Sequence, residues 1–251
     1  MQAFIQTQDN RPFSLVAMIA AEGFRQRGYE LIPFKVEDID TTLWSLESPI
    51  VGGVGTIKRA LYILNVPYAH DTYPLDLRHF LKRNVSERTL GSIRSSELPL
   101  FIKPRVDDKK FTGFVCADIF DRHLGNLPNN LPIYASDPIE ILTEYRCYIL
   151  NGKILSVARY TGPVDYFPNM KTVRGMIYSY LNAPIAYSID VGTTPDEDTV
   201  LIEVNDAMSL GNYGLPPTLA AKMIAARWFQ LTGQDYKDEA DCYDSPAFIS
   251  H

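Results

Sequence analysis

The hydrophobic pattern in the first third of the chain switches regularly between two periods. QAFIQT alternates as a half-buried strand does, and SLVAMIAAEGFRQRG carries apolar residues at helical spacing until Gly28 stops it. YELIPFK reads as a second strand, SPIVGG as a short third, GTIKRALYILN as a second helix and VPYAHD as a fourth strand. Such alternation predicts an α/β layer on a parallel sheet. From Leu81 the stretch LKRNVSERTLGSIRSSE is polar and Ser-rich, and a domain boundary is placed within it, so that residues 1–95 form the first domain. Residues 96–235 form the second, with hairpin signals followed by the helix PTLAAKMIAARWFQLTG, closed by Gly233. Residues 236–251 read as an acidic tail of little periodicity, expected to be mobile.

One hairpin allows a register to be predicted. EYRCYIL and KILSVARY flank Asn151-Gly152, a strong signal for a two-residue type I′ turn. Counting outward from Leu150 opposite Lys153 sets Glu144 against Arg159 and Arg146 against Val157. Arg146 and Arg159 become diagonal neighbours on one face. Two guanidiniums beside one carboxylate leave surplus positive charge, which a phosphate or carboxylate could use; a plain Glu144–Arg159 salt bridge is the structural alternative.

A second pair of strands carries acids. VLIEVN is apolar except for Glu203 and Asn205, which are two apart and therefore share a face. YSIDVG ends on Asp190, and pairing it with VLIEVN through GTTPDEDT would bring three oxygen ligands together. Such a set suits magnesium, which completes its shell with phosphate oxygens and water. Taken singly, Asp190 and Asn205 could equally begin turns. ELPLFIKPR places Lys103 on an apolar strand, where it either snorkels to water or meets an anion.

Composition narrows the class. The 251 residues are 46% hydrophobic and 22% charged, ordinary for a globular protein, and the net charge of −6 argues against electrostatic binding of nucleic acid. Cys116, Cys147 and Cys242 match no metal spacing and suit a reducing compartment. MQAFIQTQDN lacks the features of a signal peptide, and Leu15–Ala21 is too short to span a membrane, so a soluble cytoplasmic protein is expected. GGVGTIK resembles a phosphate loop but lacks the Gly-Lys-Ser/Thr of a Walker motif, and reads as a βα turn.

FIKP, the strand with Arg146, the strand ending in Arg159, Asp190 and EVN follow the order seen in ATP-grasp enzymes. The chain is similar to the clade whose nucleotide site uses two arginines and one lysine, over roughly Leu81 to Gly214. The resemblance implies a mixed fold, α/β and α+β, with an N-terminal Rossmann-like pre-ATP-grasp domain before a compact ATP-grasp domain. It implies ATP and magnesium as cofactors. Lys103 would contact the α- and β-phosphates; Arg146 and Arg159 would act catalytically, holding the γ-phosphate and the acyl phosphate formed from it. Asp190, Glu203 and Asn205 would bind magnesium, and Glu144 would belong to the nucleotide site. YASDPIEI, from Tyr134 to Asp137, looks like the hinge strand that pairs with adenine, and Arg83 replaces a further phosphate lysine. The loop PRVDDKKFTG has a single glycine, Gly113, so Lys109 or Lys110 would cover the phosphates. The implied activity is carboxylate–amine ligation on small-molecule or peptide substrates. A small-molecule kinase and a non-catalytic nucleotide-binding protein are the alternatives.

Overall fold

The structure is a computed structural model and describes residues 1–105 and 110–236. Lys109 and nearly all of the expected acidic tail therefore lie outside the described residues. The chain opens with β1 (Gln2–Gln8), β2 (Arg11–Pro12), α1 (Leu15–Gln26), β3 (Glu30–Lys35), β4 (Ile50–Val51) and α2 (Val54–Ile63). β1 pairs in parallel with β3 and β4 and antiparallel with β2, so the predicted parallel layer forms. Ser14 caps α1 by accepting from Ala17 N (3.1 Å), and Gly28 beyond its end takes φ 78°. Gly53 caps α2, as expected of a βα turn.

The fourth predicted strand, VPYAHD, does not form. Pro67 has no N–H to give a ladder. The segment instead runs past the sheet that holds Val204: Val204 N donates to Thr72 O (3.0 Å), and His70 Nε2 lies 3.0 Å from Val204 O. A 3-10 stretch, Leu75–Leu81, follows.

Next come β5 (Val85–Thr89), β6 (Leu100–Pro104), β7 (Phe114–Cys116) and β8 (Pro132–Ser136), an antiparallel sheet in the order β5-β8-β6-β7. β5 lies inside the polar stretch from Leu81; it is an edge strand whose side chains are exposed or half-buried, so no hydrophobic alternation marks it in the sequence. The third sheet contains β9 (Thr143–Leu150), β10 (Lys153–Thr161), β11 (Ala186–Thr193) and β12 (Thr199–Asp206) in the order β10-β9-β11-β12. Between β10 and β11, TGPVDYFPNMKTVRG is not all loop: α3 (Met170–Ser179) starts there, capped by the Asn169 side chain on Lys171 N (2.9 Å). α4 (Pro217–Thr232) ends as expected at Gly233, with φ 67°. Among the described residues no helix is long and apolar enough to cross a membrane.

α4 ties the last third of the chain to the first. Ala221, Ala225 and Phe229 pack with Ala17, Ala20, Ala21 and Phe24 of α1 in one buried cluster. Small residues let the helices approach closely, most of all at Gly23, where an added Cβ would lie 1.8 Å from Pro217 O. Gly23→Ala is therefore expected to cost about 1–3 kcal/mol or more by overpacking, read as a lower Tm. Asp206, at the end of β12, accepts from Arg227 of α4 (Nη2–Oδ2 2.7 Å) and from Met208 N (3.0 Å). This buried pair is structural and joins α4 to the third sheet.

Candidate nucleotide and metal site

The site is built on one row across the third sheet. Arg146 on β9 lies opposite Asp190 on β11, and Asp190 lies opposite Glu203 on β12. Directly opposed residues share a face, so all three point the same way, with Asn205 two residues on. Asn205 Nδ2 reaches Asp190 Oδ2 (3.3 Å) and Glu203 Oε1 (3.1 Å), bridging both carboxylates. The three side chains meet as expected, but Asn205 turns its amide nitrogen, and not its oxygen, toward the two carboxylates.

Lys103 arrives from the other sheet. On β6 it lies opposite Tyr134 of β8, and its Nζ donates to Glu203 Oε2 (2.8 Å) while lying 4.2 Å from the Tyr73 ring centroid. Of the two sequence alternatives, meeting an anion is the one realised. Arg83 stands behind the same tyrosine, donating to Tyr73 OH (3.4 Å) and to the Leu81 and Leu201 carbonyls (3.2 and 3.3 Å).

The hairpin register differs from the expected one. Leu150 faces Lys153 as predicted, but the ladder shifts between Ile154 and Ser156 and again between Arg159 and Thr161. A bulge sets two residues of one strand against one of its partner, which slips everything beyond it. Arg146 therefore faces Ala158, Arg159 faces Tyr145, and Glu144 faces Thr161. Arg146 and Arg159 point to opposite faces. Arg159 is exposed and donates to Gly162 O, with no pairing to Glu144. Glu144 is hydrogen-bonded to Tyr160 instead.

Arg146 is not the arginine without a carboxylate. Its Nε and Nη2 bind Asp190 bidentately (2.8 and 2.6 Å), and Nη1 donates to Gly211 O (3.2 Å). The Tyr213 ring covers it, 5.1 Å from guanidinium carbon to centroid, and in turn stacks on Tyr160. Tyr148 OH donates to Gly211 O (2.8 Å) and accepts from Tyr213 N (3.0 Å), so the loop after β12 is clamped over the row. Arg146 is 7% exposed and Asp190 2%, so this ion pair is dry. Burial pushes the Asp190 carboxyl up to about 6, Arg146 opposes the rise, and Glu203 and Glu144 add to it. Glu203 is also disfavoured by burial, yet Lys103 and Asn205 hold its carboxyl below the usual range.

The expected hinge needs correction at Tyr134. β8 lies between β5 and β6, so the backbone at Tyr134 is paired on both sides, with Glu87 and Lys103. An adenine cannot use those groups. The Tyr134 hydroxyl donates to Asp71 Oδ1 (2.9 Å), a contact with no sequence signal because 63 residues separate the partners. Asp137, exposed, follows immediately after β8, between the two sheets. Lys110 is exposed beside the undescribed 106–109. Gly113 lies under β6, where a Cβ would come 2.8 Å from Phe101 Cζ.

Two antiparallel sheets, with a lysine of one against an acid–amide row of the other, define the architecture of an ATP-grasp protein. The family model for the ATP-grasp domain of the two-arginine, one-lysine clade, family 2, matches residues 80–223, more than half of the chain. The chain belongs to this family. No curated protein matches it significantly. Among solved structures it is similar to D-alanine–D-alanine ligase from Bacillus anthracis complexed with ATP, at 15% identity and TM-score 0.57, over 92% of this chain and 97% of that one. It is similar also to the D-cycloserine synthetase DcsG, at 12% identity and TM-score 0.58, over 92% and 99%. The ATP-grasp ligase PsnB, complexed with minimal precursor, Mg and ADP, matches at 11% identity and TM-score 0.51, over 90% and 96%. At these identities the likeness is one of fold.

Proposed function

We propose that this chain is an ATP- and magnesium-dependent ligase that joins a carboxylate to an amine through an acyl phosphate. The observation that carries the reading is the closure of Lys103 from one sheet onto the Asp190–Glu203–Asn205 group of the other. The donor set fits magnesium in kind: the Asp190 and Glu203 carboxylates are hard oxygen ligands that the Asn205 amide nitrogen bridges, and the same amide would offer its oxygen on turning about its terminal bond. When bound, the ion would neutralise phosphate charge at these oxygens.

In the free protein Lys103 and Arg146 neutralise the carboxylates that a metal would otherwise neutralise. Lys103 is within reach of an exchange, leaving Glu203 for the α- and β-phosphates. Arg146, with every nitrogen engaged, is assigned to holding Asp190 and the Gly211 carbonyl in place. Arg159, exposed on the far face, is left out of the proposed phosphate site. Asp137 and the residues after it supply the backbone for adenine, Glu144 lies on the site face, and residues 1–95 serve as the preceding domain. Catalysis on such a site is positioning and charge stabilisation, with no side-chain nucleophile.

Solved neighbours bound to ATP or to Mg and ADP support the nucleotide reading, and the ligases among them support amide formation. ATP with magnesium is expected to raise Tm, by about 2.7 kcal/mol of stability at 100 times Kd, and neither alone should match it. An unchanged Tm at saturation removes the nucleotide assignment. Incubation with ATP, magnesium and a cell extract, followed by mass spectrometry, should yield dehydrative condensation products. ADP with a stable phosphorylated product and no amide would identify a kinase instead.

A further inference from the structure

A cleft of about 650 Å³ opens between α2, the 66–71 segment and the second sheet. Its floor is continuous with the site. Glu87, Tyr134 and Lys103 are opposed in turn across β5, β8 and β6, so one face of that sheet carries all three. Tyr134 and Glu87 line the cleft, and Lys103 leads from them to Glu203. Arg105, two residues beyond Lys103, also lines it, with its backbone N donating to Pro132 O (3.0 Å).

The cleft carries charges of both signs, Arg105 and Lys58 against Glu87 and Asp71. Glu87 accepts from both Arg78 (2.7 Å) and Arg105 (2.6 Å), so two guanidiniums share one carboxylate and a positive charge is left over. Arg105, the more exposed of the two, presents that charge in a protein whose net charge is −6. On the other side Asp71 is oriented by two donors to its Oδ1, Tyr134 OH (2.9 Å) and Tyr73 N (2.8 Å). Burial and the Asp71 carboxylate both raise the Tyr134 phenol, so it stays a donor and Asp71 stays the acceptor. Tyr62 and Tyr68 add apolar wall to the cleft.

We propose that this cleft binds the amine substrate, and that this substrate carries an anionic group of its own: its ammonium lies on Asp71 and its carboxylate on Arg105, as in a free amino acid. The inference rests on the ligase reading for calling the occupant the amine, and on the cleft alone for the two charges. A cleft lined by both charges selects a zwitterion over a plain amine or a plain acid, because a ligand with one charge engages only one of the two groups.

The test is saturation-transfer NMR on the full chain with an equimolar mixture of the twenty common amino acids. It is run with and without magnesium and the non-hydrolysable analogue AMPPNP, against matched mixtures of N-acetyl amino acids and of amino acid amides. Signals from one or more free amino acids, lost in both blocked mixtures, are expected. Arg105→Gln and Asp71→Asn should each weaken binding about tenfold or more. Both variants should fold: Arg105 lies just beyond β6 with its side chain exposed, and the amide that replaces Asp71 keeps an oxygen for the Tyr73 and Tyr134 donors. No signal from any free amino acid, equal signals from the amides, or unchanged affinity in Arg105→Gln would overturn the proposal. Failure of the nucleotide reading shows separately, as an unchanged Tm with magnesium and AMPPNP, while the nucleotide-free arm still tests the cleft.

Discussion

Arg146→Met is expected to destabilise the free protein by about 3–5 kcal/mol, the usual cost of removing one partner from a buried ion pair. Asp190 would remain 2% exposed with its bidentate partner gone, and the Gly211 carbonyl would lose the Arg146 donor and keep Tyr148 OH. Methionine replaces much of the stem, so lost packing is the smaller part. Arg159→Met should change stability by less than about 0.5 kcal/mol, as surface substitutions generally do. Its sheet face holds it exposed, away from any strand-opposed carboxylate. The loss in Arg146→Met should shrink in acid. Asp190 is already raised to about 6 by burial, and without Arg146 it rises further. A carboxyl raised in the folded state takes up its proton there first, so falling pH relieves the cost and rising pH through that value restores it. Urea melts of both variants between pH 5 and pH 8 would check this; equal losses in the two arginine variants, or a loss that grows in acid, would contradict it.

Glu203→Gln is expected to lower magnesium-dependent turnover by about 100-fold or more, since even outer-sphere changes at metal sites cost 10–100-fold. The side chain is partly exposed and glutamine keeps its shape, so the fold should stand. The substitution also releases Lys103 from its anion. Nucleotide measured without magnesium should therefore bind at least as well as to the unaltered chain, because Lys103 need no longer leave a carboxylate. Asn205→Ala should lose turnover similarly, and it removes the amide that bridges Asp190 and Glu203, leaving the two carboxylates to repel each other. Turnover with the substrate found by mass spectrometry, alongside fluorescent-nucleotide titration with and without magnesium, reads both parts. Full activity in either variant would remove that residue from the metal site.

Much of this protein was legible in local pattern. Helical spacing stopped by Gly28 and by Gly233 marked α1 and α4, because stops and periodicity are read within a few residues. The Asn151-Gly152 turn and the shared face of Glu203 and Asn205 follow from backbone geometry that no distant contact can change. The acid row was legible for the same reason: pairing YSIDVG with VLIEVN needs only a short loop. What the tertiary structure decided begins where a local rule has a long-range competitor. The first bulge in the hairpin moved Arg159 to the far face and the second moved Glu144 opposite Thr161, and only packing of both sheet faces sets where a strand takes an extra residue. β11, sitting beside β9, supplied Asp190 to Arg146 from 44 residues away, so the arginine expected to await a phosphate already has its carboxylate. Tyr134 met Asp71, and Lys103 met Glu203 across 100 residues, because two sheets closed on each other. Local sequence determines which face a side chain takes on its own strand; which charges it then neutralises depends on the neighbouring strand, and that is a property of the fold.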